Sequence, residues 1–125
     1  MRVLAGDDLI AFVATGDPAR ARAFYGDTLG LELVEETPFA VVFSVGATML
    51  RVTVVDAVIA APYTVLGWAV ADIAARVREL GKRGVAFERY AGLEQDELGV
   101  WRSPSGARIA WFKDPDGNTL SLTQP

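Results

Sequence analysis

Four serines, two lysines and an acidic run are the side chains here that could do chemistry on a substrate, and their company limits them. Ser44, Ser103, Ser105 and Ser121 have no histidine to take their proton, because the sequence contains none. A Ser-His-Asp arrangement is therefore impossible. A Ser-Lys pair would have to draw on Lys82 or Lys113, and no motif joins either to a serine. Glu94, Asp96 and Glu97 lie close together in a polar stretch and read as a solvated face; acid-base work by paired carboxylates needs one member buried with a raised pKa. There is no cysteine either, so thiol nucleophiles, thiolate metal sites and disulfides are absent. Any metal would need oxygen ligands. Ser103-Pro104-Ser105-Gly106 is the nearest approach to a phosphate loop, but it has one glycine, and Pro104 has no N–H to offer. It reads as a turn, and no cofactor is implied.

The composition excludes further classes. A net charge of −4 argues against nucleic acid as a partner. Hydrophobic residues make up 51% and charged residues 22%, a globular balance over 125 residues, enough for one domain. No apolar run approaches the ~20 residues of a membrane span. The first eight residues lack the apolar core of a signal peptide, so a cytoplasmic location is the expectation.

The elements that must position these side chains follow from pattern. Leu9 to Thr15 is short, apolar and partly β-branched, a buried strand. Asp17 and Pro18 form a helix-start pair, with a helix to about Asp27 whose inner face is Ala21, Phe24, Tyr25 and Thr28. Gly30 ends it. Strands are expected over Leu31 to Glu35, Phe39 to Val45 and Thr48 to Val55. The order then restarts. Tyr63 to Val70 is a strand, Asp72 a helix cap, and Ile73 to Gly81 a helix packing through Ile73, Val77 and Leu80. Val85 to Arg89 is a strand, Tyr90 to Gly99 a polar loop or irregular hairpin, and Ala107 to Lys113 and Asn118 to Thr123 are strands about the Asp114-Pro115-Asp116-Gly117-Asn118 turn. The halves match at an offset of 55 through the first strand and helix, pairing Ile10 with Val65 and Asp17 with Asp72. They match at 70 afterwards, pairing Val42 with Phe112 and Leu50 with Leu120, which implies a 15-residue insertion within Glu88 to Ser105.

Two signatures carry a family resemblance. Phe24-Tyr25, then three residues, then Leu29-Gly30-Leu31 resembles the FY…LGL segment of the glyoxalase/bleomycin-resistance/extradiol-dioxygenase (vicinal oxygen chelate) superfamily. Asp114 to Asn118 resembles its DPDGN turn. The resemblance implies an α+β domain spanning 1–125, built of two βαβββ modules at about 8–56 and 62–124. Their strands would form a cupped mixed sheet that holds the ligand, with helices on the outer face. It also implies a homodimer, with the apolar linker Val58 to Pro62 deciding how modules pair or exchange.

Metal-using members carry His, Gln or Glu ligands at four strand positions, which fall here on Ile10, Val65, Arg51 and Ser121. Ile and Val have no donor atom, and Arg has no free lone pair. A divalent cation a few ångströms from a guanidinium would be repelled by about 4 kcal/mol per charge at an effective dielectric constant near 20. The family metal site is therefore expected to be missing. Strand alternation adds Phe12 to the face of Ile10, Met49 to that of Arg51 and Tyr63 to that of Val65, so all seven should line the cup. Trp101, Trp111 and Tyr90 are further candidates whose facing the sequence leaves open. Arg51 either anchors an anionic ligand or is met by an internal acid or by water. Three functions fit: a metal-free binder of a small organic molecule, anionic or aromatic; a metal-independent lyase- or isomerase-type enzyme acting on a small organic acid; or an interaction module working as a dimer.

Overall fold

The computed structural model describes residues 2–125, in two compact units, Met1–Val58 and Ile59–Pro125. Among the described residues the chain forms eight strands and two main helices, and no helix is long and apolar enough to cross a membrane.

The first unit opens with β1 (Ile10–Thr15). Asp17 then caps α1 (Pro18–Arg22): its carboxylate accepts from the Arg20 backbone N–H at 3.1 Å, and Pro18 occupies the first turn. The helix does not stop at Arg22. It continues as a π-helical segment, Ala23–Thr28, closed where Leu29 N–H reaches the Phe24 carbonyl and Gly30 takes φ 77°. Strands β2 (Glu32–Glu36), β3 (Ala40–Val45) and β4 (Thr48–Val54) follow. The sheet order is β1-β4-β3-β2, with β1 parallel to β4 and the other pairs antiparallel. One face packs under the helix. Val13, Leu50, Val52, Val41 and Phe43 are buried there with Ala21 and Tyr25, and the Tyr25 and Phe43 ring centroids lie 6.1 Å apart. Each aliphatic or aromatic side chain buried so fully stabilises the fold by ~1.5–3 kcal/mol.

The second unit repeats this plan. It contains β5 (Thr64–Ala69), α2 (Ile73–Lys82), β6 (Trp101–Arg102), β7 (Arg108–Lys113) and β8 (Thr119–Gln124), in the order β5-β8-β7-β6. Asp72 caps α2 through the Ala75 N–H, and Ile73 and Val77 are buried on its inner side. Ala110, Phe112, Leu120 and Leu122 are buried, and Trp68 stacks on Phe112 at 6.4 Å. The two-module α+β fold expected from the pattern is the fold observed.

Three local expectations fail. Val85 to Arg89 is not a strand; only Phe87 bridges Phe112, and the strand at the edge beside β7 is the two-residue β6. The outer edge of β7 is shared: the Glu88 N–H bonds the Trp111 carbonyl, while β6 pairs with Arg108 and Ile109. Tyr63 lies before β5, outside the ladder, so alternation does not set its direction. The match of halves also shifts within the last hairpin. Phe43 pairs with Leu50 and Phe112 with Leu120, so the offset is 69 on β7 and becomes 70 only on β8. The longer DPDGN turn holds the extra residue. The equivalent of Val42 is therefore Trp111, not Phe112.

Candidate functional site

Each sheet has a second face that its helix does not cover. In the first unit β1 and β4 run in register, pairing Ile10 with Met49, Phe12 with Arg51 and Ala14 with Thr53. Side chains opposite one another share a face, so these form three rows. β3 and β2 extend the middle row through Val42 to Glu35. Ile10, Phe12 and Met49 are exposed at 46%, 59% and 41%, and Arg51 sits half-buried among them. Among the described residues the Arg51 guanidinium makes no ion pair or hydrogen bond.

In the second unit the equivalent row is Gly67, Ser121 and Trp111. Gly67 stands where the first unit has Phe12. A Cβ there would lie 3.0 Å from the Ser121 Oγ and 3.2 Å from its carbonyl oxygen, so any larger residue would have to push Ser121 by a few tenths of an ångström. Ser121 is buried at 7%. The next row joins Thr123, Ile109 and Trp101. The facing of the aromatic residues, open in the sequence, is thereby set: Trp101 and Trp111 share the face of Ser121, with ring centroids 6.0 Å apart. Tyr90 joins them edge-on to Trp111 at 5.4 Å and an interplanar angle of 82°. Val65 is the extra residue of a bulge in β5 and is 40% exposed.

Burial, and secondarily the negative charge of Glu88, push the Tyr90 phenol above its ordinary pKa of 10.0. It remains a neutral hydrogen-bond donor through the physiological range. Its contribution to stability is full below pH 10 and is lost as the pH rises through the raised value. The acidic stretch after Tyr90 is in part structural: Asp96 accepts from the Leu98 and Val100 N–H groups at 2.9 Å, and the Glu97 carbonyl accepts from Arg89.

The second unit thus carries a small serine and a glycine beside three aromatic rings, and the first an arginine among apolar side chains. The family model for the Glyoxalase/Bleomycin resistance protein/Dioxygenase superfamily matches residues 8–122. The chain belongs to this superfamily. Among curated proteins no sequence matches significantly. Solved structures give the same fold. A glyoxalase family protein from Bacillus anthracis is 21% identical, with a TM-score of 0.78 over 99% of this chain and 98% of that one. A superfamily member from Sphaerobacter thermophilus is 25% identical, with a TM-score of 0.75 over 98% and 100%. A bleomycin-binding protein complexed with bleomycin is 21% identical, with a TM-score of 0.74 over 95% and 98%.

At the four positions where the family resemblance places metal ligands, Ile10 and Val65 offer no donor atom, Arg51 offers a positive charge, and Ser121 offers one hydroxyl, so these residues do not fit the superfamily's metal. Among the described residues no three His, Cys, Asp or Glu side chains gather to hold an ion. Adding Zn²⁺, Fe²⁺, Mn²⁺ or Ni²⁺ is expected to leave the melting temperature unchanged, since only an ion that binds the native state raises it. A concentration-dependent rise would contradict this assignment.

Proposed function

We propose that this protein binds a small organic molecule without the superfamily's metal. The observation that carries the reading is the Tyr90–Trp111–Trp101 set beside Ser121, three rings held on one sheet face. Aromatic faces of this kind take planar apolar bodies, with ~0.5–1.5 kcal/mol per ring pair beyond the area buried. Arg51 is the anchor that this reading assigns to an acidic group, with Ile10, Phe12 and Met49 as its apolar surroundings. Tyr63 and Val65 are proposed as lining residues of the second unit. One protein of the same fold is complexed with bleomycin, which supports a binding role for such a scaffold. In the same way we propose a homodimer, in which Val58 to Pro62 decides how modules pair. Ile59 in that segment is 96% exposed, an apolar side chain suited to cover by a second copy.

Titration calorimetry with 2-naphthoate, a planar aromatic body bearing one carboxylate, tests the binding reading. Trp111→Ala is expected to weaken binding about tenfold. The anchor assigned to Arg51 in the first unit is tested separately with cyclohexanecarboxylate: Arg51→Met keeps the apolar stem and removes the charge, and is expected to weaken binding of that carboxylate by ~1.5–3 kcal/mol. Affinity for 2-naphthoate unchanged in Trp111→Ala, or no binding by the wild type, would overturn the aromatic reading, and carboxylate affinity unchanged in Arg51→Met would overturn the anchor. Light scattering is expected to give twice the 13.4 kDa chain mass; a mass of one chain would contradict the dimer.

A further inference from the structure

Tyr90 and Trp101 reach Trp111 from opposite ends of one loop, and a single side chain ties those ends together. The Gln95 Nε2 donates to the Glu88 carbonyl at 2.9 Å and to the Gly99 carbonyl at 2.8 Å. Its Oε1 accepts from the Tyr90 backbone N–H at 2.8 Å. Both amide hydrogens and the amide oxygen are thus engaged with backbone. The Gln95 backbone also bridges Trp101. So one residue bonds directly to the main chain that carries Tyr90 and pairs with the main chain that carries Trp101. The surrounding bonds close the same loop. Arg89 donates to the Glu97 carbonyl at 2.9 Å, and Gly99 approaches Phe87 so closely that a Cβ would lie 3.3 Å from its Cβ, with φ +85°.

We infer that Gln95 is the positioning residue of the aromatic face: its side-chain amide fixes where Tyr90 and Trp101 stand over Trp111, and so sets the size of aromatic body the face accepts. The consequence for ligand size rests on the binding reading above; the positioning itself does not. The insertion that separates the second module from the first is then the element that builds the aromatic face. A purely structural glutamine would stabilise the loop without governing the rings, and the unit contains a comparator of that kind. Gln124 Oε1 accepts from the Ile73 N–H at 3.0 Å, at the start of α2.

The test compares Gln95→Met with Gln124→Met. Each keeps the side-chain length and removes the backbone bonds. Two indoles 6.0 Å apart and tilted by 35° couple to give an exciton couplet in far-UV circular dichroism, which reads the Trp101–Trp111 geometry without any ligand. Gln95→Met is expected to lose the couplet while keeping the helical signal, and to weaken 2-naphthoate about tenfold. Gln124→Met is expected to lower the thermal midpoint and leave couplet and affinity unchanged. Gln95→Glu keeps the acceptor for Tyr90 and loses the two donors, so an intermediate couplet is expected even if the Met variant folds poorly. A couplet retained in both Gln95 variants would overturn the inference, as would an equal loss in Gln124→Met. Absence of 2-naphthoate binding by the wild type would count against the binding reading, and the couplet would still decide the role of Gln95.

Discussion

Asp114 closes the β7–β8 turn from inside. Its Oδ1 accepts from the Asp116 and Asn118 backbone N–H groups at 2.9 Å, and its Oδ2 accepts from the Asn118 amide at 2.8 Å. Both residues are 5% exposed, so these charge-assisted bonds are shielded from water. Gly117 completes the turn at φ 88°. The bonds that close this turn between Asp114 and Asn118 hold the register of β7 on β8, and register decides facing, because a slip of one residue turns every side chain to the opposite side of a sheet. With Trp111 opposite Ser121, Phe112 falls under the helix and Trp111 falls on the uncovered face. The first unit's turn is one residue shorter and still leaves Phe43, the equivalent of Phe112, under its helix, so the place where the turn closes sets the facing, and the bonds from Asp114 to Asn118 hold the extra residue within the turn.

The two units show how one backbone plan carries different chemistry. At the row that crosses the centre of each sheet, the first unit has Phe12, Arg51 and Val42, and the second has Gly67, Ser121 and Trp111. The bulk moves from the edge strand to the inner hairpin, and the charge disappears. Neither row retains a metal donor set. What remains is one cation in an apolar setting and one cluster of rings beside a hydroxyl, both suited to recognition by charge and shape.

Much of this was legible in the sequence because local signals agreed with one another. Asp17-Pro18 and Asp72 marked helix starts that the structure keeps, and alternation put Phe12 with Ile10 and Met49 with Arg51 on shared faces. The failures have physical causes. Two residues, Trp101 and Arg102, are too few to show a period, so β6 was hidden, whereas Val85 to Arg89 had a strand-like pattern and only one bridge. Matching the halves at a single offset through the last hairpin paired Val42 with Phe112 instead of Trp111, although the one extra residue in Asp114 to Asn118 over Val45 to Thr48 was the signal that would have corrected it. Gln95 was invisible, since a glutamine in a polar stretch carries no mark of having its whole amide satisfied by backbone.

We propose that the face of Trp101 and Trp111, and not the core, receives the ligand. The chain has three tryptophans, and the half-buried Trp68 stacks on Phe112 on the opposite face of the same sheet. Each gives one indole N–H resonance in a ¹⁵N-correlated NMR spectrum. Titration with 2-naphthoate is predicted to move the Trp101 and Trp111 resonances together, saturating at one affinity, while Trp68 stays in place. Saturable movement of Trp68 alone, or none at Trp101 and Trp111 when calorimetry reports binding, would contradict the account.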